Sequence, residues 1–423
     1  MKYKLSKLEN GLRVICVPIP NMASATITIW VGVGSRYEQA KINGISHFLE
    51  HMVFKGSRKR PSAKKIAEAI DAFGGEFNAS TSKEWTNFYI KSRKEKLDIA
   101  FDVLSDMVLN PILKTEDIER EKGVIIEEIG MYEDTPLMKI DDIFENLIFS
   151  GNELGWDIAG VPKTVRATKK SDFERYRSMH YGSNNIVVTV AGGISEDSAH
   201  ALSEKYLSEL ENKKKRKESN FIPKQKKPQV KLREKKAEQA HFMLGFLGYP
   251  RGHKDRFTEA VLTTILGGGM SSRLFIEVRE KRGLAYAVKT SSDHYIDTGY
   301  LATYAGVDIK RIEEAVKVTL DEHYKIGGAK GKISAKELKK AKEYLKGHIA
   351  LNLEDTNNIN SFFGIRELML GKLETPDDVY RGIDAVFIED VYSFAKKMFA
   401  PEKLNLAIIG PYEDRGRFER LLK

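Results

Sequence analysis

His47-Phe48-Leu49-Glu50-His51 is the stretch from which the interpretation of this 423-residue chain starts. Two histidines four positions apart lie on one face of a helix, because an α-helix makes a turn every 3.6 residues. Both imidazoles can then reach one metal ion, and neutral imidazole is a favoured ligand of Zn²⁺. Glu50 lies beside the metal, where it can take a proton from a metal-bound water. The pattern therefore predicts a helical metal centre with an adjacent general base.

The overall composition is that of a globular protein with enough apolar residues for more than one core. Of the 423 residues, 41% are hydrophobic and 30% are charged, so two or three domains are expected. No apolar run approaches the length of about 18 residues needed for a membrane span. The N-terminal segment resembles neither a secretory signal nor a transit peptide. Because Cys16 is the only cysteine, a disulfide framework is excluded, and we expect a cytoplasmic protein with no membrane partner.

The net charge of +9 is concentrated in one short segment. Between residues 212 and 228, eight lysines and arginines stand against one acid, Glu218, which accounts for seven of the nine charges. A basic run of this kind is typical of a solvated linker, and no flanking aromatic residues are arranged for base stacking. We therefore interpret residues 212–228 as a linker and expect no nucleic-acid partner.

After the linker, the patterns of the first half recur in the same order. The five matched pairs are residues 26–33 with 240–246, 86–89 with 298–301, 101–105 with 316–320, 133–135 with 354–356, and 186–193 with 404–410. Constant order with nearly constant offset indicates an internal duplication.

Each copy mixes strands and helices without regular βα alternation. This predicts an α+β fold of two duplicated domains, each a largely antiparallel sheet packed with helices. The predicted division is an N-terminal metal-binding domain at 1–211, the linker at 212–228, and a homologous C-terminal domain at 229–423. Residues 257–262, which correspond to the metal helix, contain no histidine, so we expect one metal site per chain.

Two histidines do not complete a catalytic zinc site, which needs a third protein ligand and an open position for water. The acidic stretch 115–134 offers several candidates. They are Glu119, Glu121, Glu127, Glu128 and Glu133. Spacing alone does not choose among them, and a solvated acidic helix face is the ordinary explanation for most.

Five stretches together resemble the pitrilysin-type inverzincin metallopeptidases, whose motif has the order H-x-x-E-H. Within that family the similarity is to the mitochondrial processing peptidase branch and its bacterial relatives. The stretches are residues 9–14, the motif with residues 54–56, residues 77–81, residues 121–128 and residues 268–275. The resemblance covers essentially the whole chain, and the combined set of motifs is highly specific.

The resemblance implies a complete zinc site. The family's third ligand is a glutamate 77 positions after the second histidine, which is Glu128 here. A further family glutamate, seven positions earlier, matches Glu121 and would orient a ligand. The implied cofactor is one Zn²⁺ per chain, held by His47, His51 and Glu128, with Glu50 as general base and then general acid.

The resemblance also implies the parts that handle substrate. An arginine and a tyrosine of the second domain, matching Arg279 and Tyr286, would stabilise the oxyanion. Asn78 and Ala79 match an edge strand that pairs with the substrate backbone, although Asn78 as a simple turn residue is an alternative.

The predicted function is zinc-dependent endopeptidase activity on peptides or unfolded segments inside a closed dimeric chamber. The partner would be an identical chain or a paralogue, and each chain's Arg279 and Tyr286 would serve the other chain's zinc. The alternative is a non-catalytic peptide-binding subunit of a related complex. The presence of all four motif residues, His47, Glu50, His51 and Glu128, argues against that alternative.

Overall fold

Strand-forming runs of the first half of the chain build one sheet, here called sheet 1. The computed structural model describes residues 1–213, 219–328 and 331–422, so residues 214–218 of the predicted linker lie outside the described residues. The strands of sheet 1 are β1 (Lys4–Lys7), β2 (Arg13–Pro18), β3 (Ser24–Val31), β4 (Glu76–Thr81), β5 (Thr86–Arg93) and β6 (Ile186–Gly192). Their order is β1-β2-β6-β3-β5-β4, with β2 and β6 parallel and the other neighbours antiparallel. Among the described residues, β4 pairs only with β5 and so forms an edge.

The second half builds sheet 2 in the same way. Its strands are β7 (Gln229–Glu234), β8 (Gln239–Leu247), β9 (Ala285–His294), β10 (Gly299–Asp308) and β11 (Leu404–Gly410). Their order is β7-β11-β8-β10-β9, and the parallel pair is β7 with β11. This order repeats β2-β6-β3-β5-β4 strand for strand. The predicted α+β fold with two duplicated, largely antiparallel sheets is confirmed.

The helices lie between and after the strands of both halves. In chain order they are α1 (Ile45–Val53), α2 (Ala63–Asp71), α3 (Leu97–Leu109), α4 (Thr115–Asp134), α5 (Pro136–Ile148), α6 (Pro162–Ala167), α7 (Lys170–His180), α8 (Glu196–Leu207), α9 (Arg256–Gly267), α10 (Ile312–Gly327), α11 (Ala335–Asn352), α12 (Thr356–Leu370), α13 (Pro376–Asp384), α14 (Ile388–Met398) and α15 (Arg415–Glu419). In the part of the chain that the structure describes, none combines the length and apolar character needed to cross a bilayer. The cytoplasmic location stays a prediction.

Two helical segments have an unusual backbone. The metal helix begins only at Ile45, because Gly44 has a left-handed φ of +97°. A Cβ at Gly44 would lie 2.5 Å from the Ala159 carbonyl oxygen, so only glycine fits there. In the second half, Phe275–Glu280 form a π-helix in place of regular α-helix.

The described residues form two compact units that are not continuous in sequence. Unit 1 comprises Met1–Gly130, Trp156–Ser219 and Ala350–Asp377, and unit 2 comprises Met131–Gly155, Asn220–Ile349 and Asp378–Lys423. Compared with the predicted domains 1–211 and 229–423, each unit includes one helical segment from the other half. These segments contain α5 and α12, which follow the paired residues 133–135 and 354–356.

Helix α12 covers sheet 1 through polar and close-packing contacts. Asn360 Nδ2 donates to the Thr26 carbonyl oxygen at 2.8 Å and to Thr28 Oγ1 at 3.0 Å. Gly364 lies against the indole of Trp30, where a Cβ would come within 2.4 Å of the ring. Both strand threonines and Trp30 are fully buried. A hydrogen-bonded helix is thus what satisfies the polar groups on this sheet face.

Helix α5 covers sheet 2 in an apolar manner. Its residues Ile140, Ile143 and Phe144 share a core cluster with Met243 on β8. Gly245 permits the approach, since a Cβ there would lie 2.7 Å from the Phe144 ring. Helical periodicity identifies the apolar face of α5 but not the sheet that covers it. For this reason the predicted domains, which are continuous in sequence, do not group α5 with sheet 2 or α12 with sheet 1.

Glu259 on α9 is a fully buried carboxyl group in unit 2. Neither of its oxygens has a hydrogen-bond partner among the described residues, and His294 Nε2 lies 3.9 Å from Oε2. Burial raises the pKa of Glu259 to about 8. In the unfolded chain the carboxyl returns to its ordinary pKa of about 4.5, so the folded state holds this proton more tightly.

We predict that Glu259→Gln removes a pH-dependent loss of stability. The favourable contribution of the protonated carboxyl is fully present below pH ~4.5 and is lost as pH rises through 8. At about 1.4 kcal/mol per pKa unit, the wild type should lose roughly 3–5 kcal/mol more free energy of unfolding than the variant between pH 4.5 and pH 9. Urea unfolding at pH 5, 7 and 9 measures this, with exposed Glu127→Gln as control. Parallel pH profiles for wild type and Glu259→Gln would contradict it.

Candidate metal centre

Helix α1 presents the motif residues by burying its other face. Phe48 and Leu49 are at most 1% exposed and belong to the core of unit 1. His47, Glu50 and His51 are each only partly buried and lie on the remaining face. The alternation of apolar and ligating residues at helical spacing therefore fixes which side chains can meet a metal.

The start of α1 is fixed by a buried carboxylate eight residues upstream of Ser46. Glu38 Oε2 accepts from Gly44 N–H at 2.7 Å and from Asn43 Nδ2 at 2.9 Å. Its Oε1 accepts from the Ser46 N–H at 2.8 Å and from Ser46 Oγ at 2.7 Å. Burial raises the pKa of Glu38 to about 6, although the four hydrogen bonds oppose that rise. Glu38 thus serves as the N-terminal cap directly before His47.

The structure brings together His47 and His51 of α1 and Glu128 of α4. One ligand atom from each lies within 4.8 Å of the other two. His47 Nε2 is 3.6 Å from Glu128 Oε1, and His51 Nε2 is 3.5 Å from Glu128 Oε2. Two ligands of one tetrahedral Zn²⁺ at ordinary bond lengths lie about 3.3–3.6 Å apart. The donor chemistry and these spacings fit zinc.

The protonation of His47 suits a metal ligand. Burial, with a smaller contribution from His51, lowers the pKa of His47 to about 4. The imidazole is therefore neutral at physiological pH and keeps a nitrogen lone pair free for a metal.

The remaining acidic candidates on α4 are placed differently. Glu119 and Glu127 are exposed, and Glu119 pairs with Lys122 at 2.7 Å. Glu133, in unit 2, pairs with Lys139 at 2.8 Å. Of the five glutamates that the sequence left open, Glu128 is the one whose carboxylate meets both histidines.

Glu121 lies on α4 seven residues before Glu128, which is about two helical turns, and it contacts the ligand His51. Its Oε1 is 2.8 Å from His51 Nδ1, and its Oε2 is 2.6 Å from Lys55 Nζ. Burial alone would raise the pKa of this carboxyl, but the hydrogen bonds from His51 and Lys55 outweigh burial and lower it. An ionised Glu121 favours the His51 tautomer with the proton on Nδ1 and the lone pair on Nε2.

Glu50 is held from the neighbouring edge strand. Thr81, the last residue of β4, donates its hydroxyl to Glu50 Oε2 at 2.5 Å. Burial raises the pKa of Glu50; Thr81 and His51 act against this rise, and Glu128 adds to it. A carboxylate with a raised pKa beside a metal site is suited to accept and return a proton.

Arg279 and Tyr286 contact each other in unit 2. Arg279 lies in the π-helix Phe275–Glu280 and Tyr286 on β9. The Arg279 guanidinium carbon is 5.2 Å from the Tyr286 ring centroid and 4.7 Å from that of Phe275. Tyr286 is 79% exposed, so its hydroxyl is accessible. The histidines and Glu128 belong to unit 1, and the assignment of this pair to the metal chemistry stays a prediction.

Asn78 and Ala79 lie on the edge strand β4. Asn78 is exposed and Ala79 half-buried, in a strand with strict alternation of the two classes. The Asn78 side-chain oxygen accepts from the Ala79 N–H at 2.8 Å. The Ala79 N–H is therefore not used for pairing with β5 and points to the free edge of the sheet. Asn78 is thus a strand residue, and the turn alternative is wrong.

Three residues that contact the site were not singled out from the sequence. Glu38 caps the metal helix, Lys55 binds Glu121, and Thr81 binds Glu50. Lys55 and Thr81 stand inside stretches that carried the family resemblance, which was the available signal. Glu38 had none, because an upstream glutamate does not fit the usual capping spacing.

Two protein-family models match the chain. Residues 13–160 match Insulinase (Peptidase family M16), and residues 169–345 match the Peptidase M16 inactive domain. The donor set and Glu50 all fall inside the first match, and none of them falls inside the second.

Curated relatives span nearly the whole chain. The uncharacterized zinc protease YmxG of Bacillus subtilis is 39% identical over 407 residues, covering 95% of this chain and 97% of its own length. An uncharacterized zinc protease of Streptomyces coelicolor is 36% identical over 419 residues, covering 96% and 89%. Both relatives are named zinc proteases. The chain belongs to peptidase family M16.

Solved structures share the fold. A protease from Helicobacter pylori matches with a TM-score of 0.90 at 24% identity, covering 96% of this chain and 99% of that one. A peptidase M16 inactive domain from Pseudomonas fluorescens matches with a TM-score of 0.90 at 19% identity, covering 98% and 99%. A chain of Complex III2 from Candida albicans matches with a TM-score of 0.85 at 18% identity, covering 99% of each.

Proposed function

We propose that this chain is a zinc-dependent endopeptidase that hydrolyses peptides or unfolded segments. The observation that carries the proposal is the set of His47, His51 and Glu128 ligand atoms within 4.8 Å, with Glu50 on the same helix. Two imidazoles and one carboxylate, with room for water, form the ligand set of catalytic zinc sites. Membership of a peptidase family supports the same reaction.

Each residue of the site has a distinct role in the proposed hydrolysis. When bound, Zn²⁺ acidifies water toward a pKa of ~7 and polarises the scissile carbonyl. Glu50 accepts the proton of the attacking water and passes it to the leaving amine nitrogen. Thr81 occupies one oxygen of Glu50 and leaves the other for the water.

The second half of the chain supplies the oxyanion donors in this proposal. Arg279 is flanked by the rings of Phe275 and Tyr286, which hold the guanidinium without neutralising it. A preorganised cation and an accessible phenol suit the charge that develops on the substrate carbonyl oxygen. The pair would act on the zinc site of a partner chain.

The substrate is proposed to bind as an added strand on β4. The free edge of β4 offers the Ala79 N–H once the Asn78 side chain turns away. Backbone pairing accepts peptides of many sequences, as suits an enzyme acting on unfolded segments. The same strand carries Thr81, so a bound peptide lies beside the residue that holds Glu50.

The proposal is tested by product mapping on a mixed peptide pool. We expect internal cleavage by the zinc-loaded protein, no cleavage after chelator treatment, and recovery when zinc is returned. Absence of cleavage by a protein with one zinc per chain would overturn the endopeptidase assignment.

We further propose a closed dimer, of identical chains or of this chain with a paralogue, in which each chain completes the other's site. Mixing inactive Glu50→Gln chains with inactive Tyr286→Phe chains should restore activity, because one site in each mixed dimer has both residues intact. For random exchange between symmetric homodimers, about a quarter of the wild-type sites would be active. Peptide hydrolysis after subunit exchange measures the rescue.

The control is each variant exchanged with itself, which should stay inactive. Mixed dimers proven by differently tagged chains, yet without activity, would contradict completion in trans.

A non-catalytic peptide-binding subunit is the alternative function. It draws support from the match of residues 169–345 to a domain named inactive, and from the fold of the Candida albicans Complex III2 chain. Retention of Glu50 beside a fitting donor set favours the enzyme. A protein that binds peptides with and without zinc but never cleaves them would establish the alternative.

A further inference from the structure

Lys55 is a cationic side chain next to the metal centre, and none of the proposed steps of hydrolysis involves it. It follows α1 directly, and its backbone N–H donates to the Met52 carbonyl oxygen at 3.1 Å. Its Nζ lies 2.6 Å from Glu121 Oε2, and its side chain is 32% exposed, whereas that of Glu121 is 5% exposed. A charge at the protein surface thus reaches inward to a buried carboxylate.

The other oxygen of Glu121 contacts the metal ligand His51. Glu121 Oε1 is 2.8 Å from His51 Nδ1, and His51 Nε2 is the atom that faces Glu128. The contacts therefore form a chain from Lys55 to Glu121 to His51. With one oxygen held by Lys55, the carboxylate plane is fixed so that the other oxygen stays on the imidazole.

We propose that Lys55 is a positioning residue for zinc, acting through Glu121 to hold His51 in its ligating orientation. This inference rests on the zinc site proposed above. Charge alone makes the opposite prediction, because a cation near Zn²⁺ repels it and its removal would tighten binding. Lys55 pairs closely with a carboxylate and is partly solvated, so its repulsion is offset while its hold on Glu121 remains.

A lysine suits this position better than an arginine. A guanidinium tends to bind both oxygens of a carboxylate at once, and it would compete with His51 for Glu121. An ammonium binds one oxygen as a compact charge and leaves the other free. The contacts from Lys55 to Glu121 to His51 therefore need an ammonium, which binds only one carboxylate oxygen.

The test is a double-mutant cycle on zinc affinity, measured on metal-free protein by competition with a chromophoric chelator. We expect Lys55→Met to weaken zinc binding about tenfold and Glu121→Gln by about 10–100-fold. Because Lys55 acts through Glu121, the double variant should bind zinc no more weakly than Glu121→Gln alone. Lys64→Met, at an 83% exposed lysine paired with Glu68, is the matched control and should match the wild type.

Unchanged or tighter zinc binding by Lys55→Met would overturn the inference, and so would losses that add in the double variant. Should Lys55→Met fail to fold, Lys55→Ala, which also removes the donor and the charge, completes the same cycle. A wild-type protein that binds no zinc would overturn this inference and the proposed zinc site together. A wild type that binds zinc as tightly as Lys55→Met overturns the role of Lys55 alone.

Discussion

Glu50→Gln is expected to lower kcat for peptide hydrolysis by about 10²–10⁴-fold while leaving zinc content at the wild-type level. Glutamine has the same shape, and its side-chain oxygen can still accept from the Thr81 hydroxyl. It cannot take a proton from the attacking water, so only the proton transfer is removed. Hydrolysis of an internally quenched peptide, with metal content from elemental analysis of the same sample, measures both quantities.

The matched control for this variant is Glu119→Gln. Glu119 is exposed on α4 and pairs with Lys122, so the same loss of charge should leave kcat unchanged. Substantial hydrolysis by Glu50→Gln protein that carries its full zinc would reject Glu50 as the base. Loss of zinc together with activity would instead mean that Glu50 contributes to holding the metal.

The metal helix and the repeat are features that the sequence predicts because they depend on local spacing. His47 and His51 face one way as a consequence of helical geometry, and the strand order of sheet 2 follows that of sheet 1. The choice of Glu128 among five glutamates depended on family resemblance, because helical spacing leaves several acids near the same face. The structure shows Glu128 between the two imidazoles.

Two of the contacts that sequence reasoning missed join residues far apart along the chain. Thr81 reaches Glu50 across 31 positions, and Lys55 reaches Glu121 across 66. No periodicity within one helix or strand encodes such pairs, since they depend on how the elements pack. The grouping of α12 with sheet 1 and of α5 with sheet 2 also depends on how the elements pack. Helix α5 meets sheet 2 through an apolar face and α12 meets sheet 1 through Asn360 and Gly364, so the complementary sheet decides where each helix lies.

His51→Ala is expected to abolish stable zinc binding, and peptide hydrolysis with it. The change leaves His47 and Glu128 as a two-ligand set, which is too few for a zinc site. It also leaves Glu121, whose side chain is 5% exposed, without its imidazole partner. The affinity loss should therefore exceed the ~10–100-fold typical of residues that only support a ligand. Elemental analysis after dialysis and chelator competition measure the loss.

The control is His200→Ala, which removes a histidine of α8 that contacts Ser6 and lies outside the donor set. It should keep one zinc per chain and full activity. Circular dichroism and the Tm of metal-free His51→Ala distinguish loss of a ligand from loss of fold, since only the former leaves the metal-free proteins alike. A folded His51→Ala protein that retains one zinc per chain would reject His51 as a ligand. The same experiment on His47→Ala then decides whether the ion is held by α1 at all.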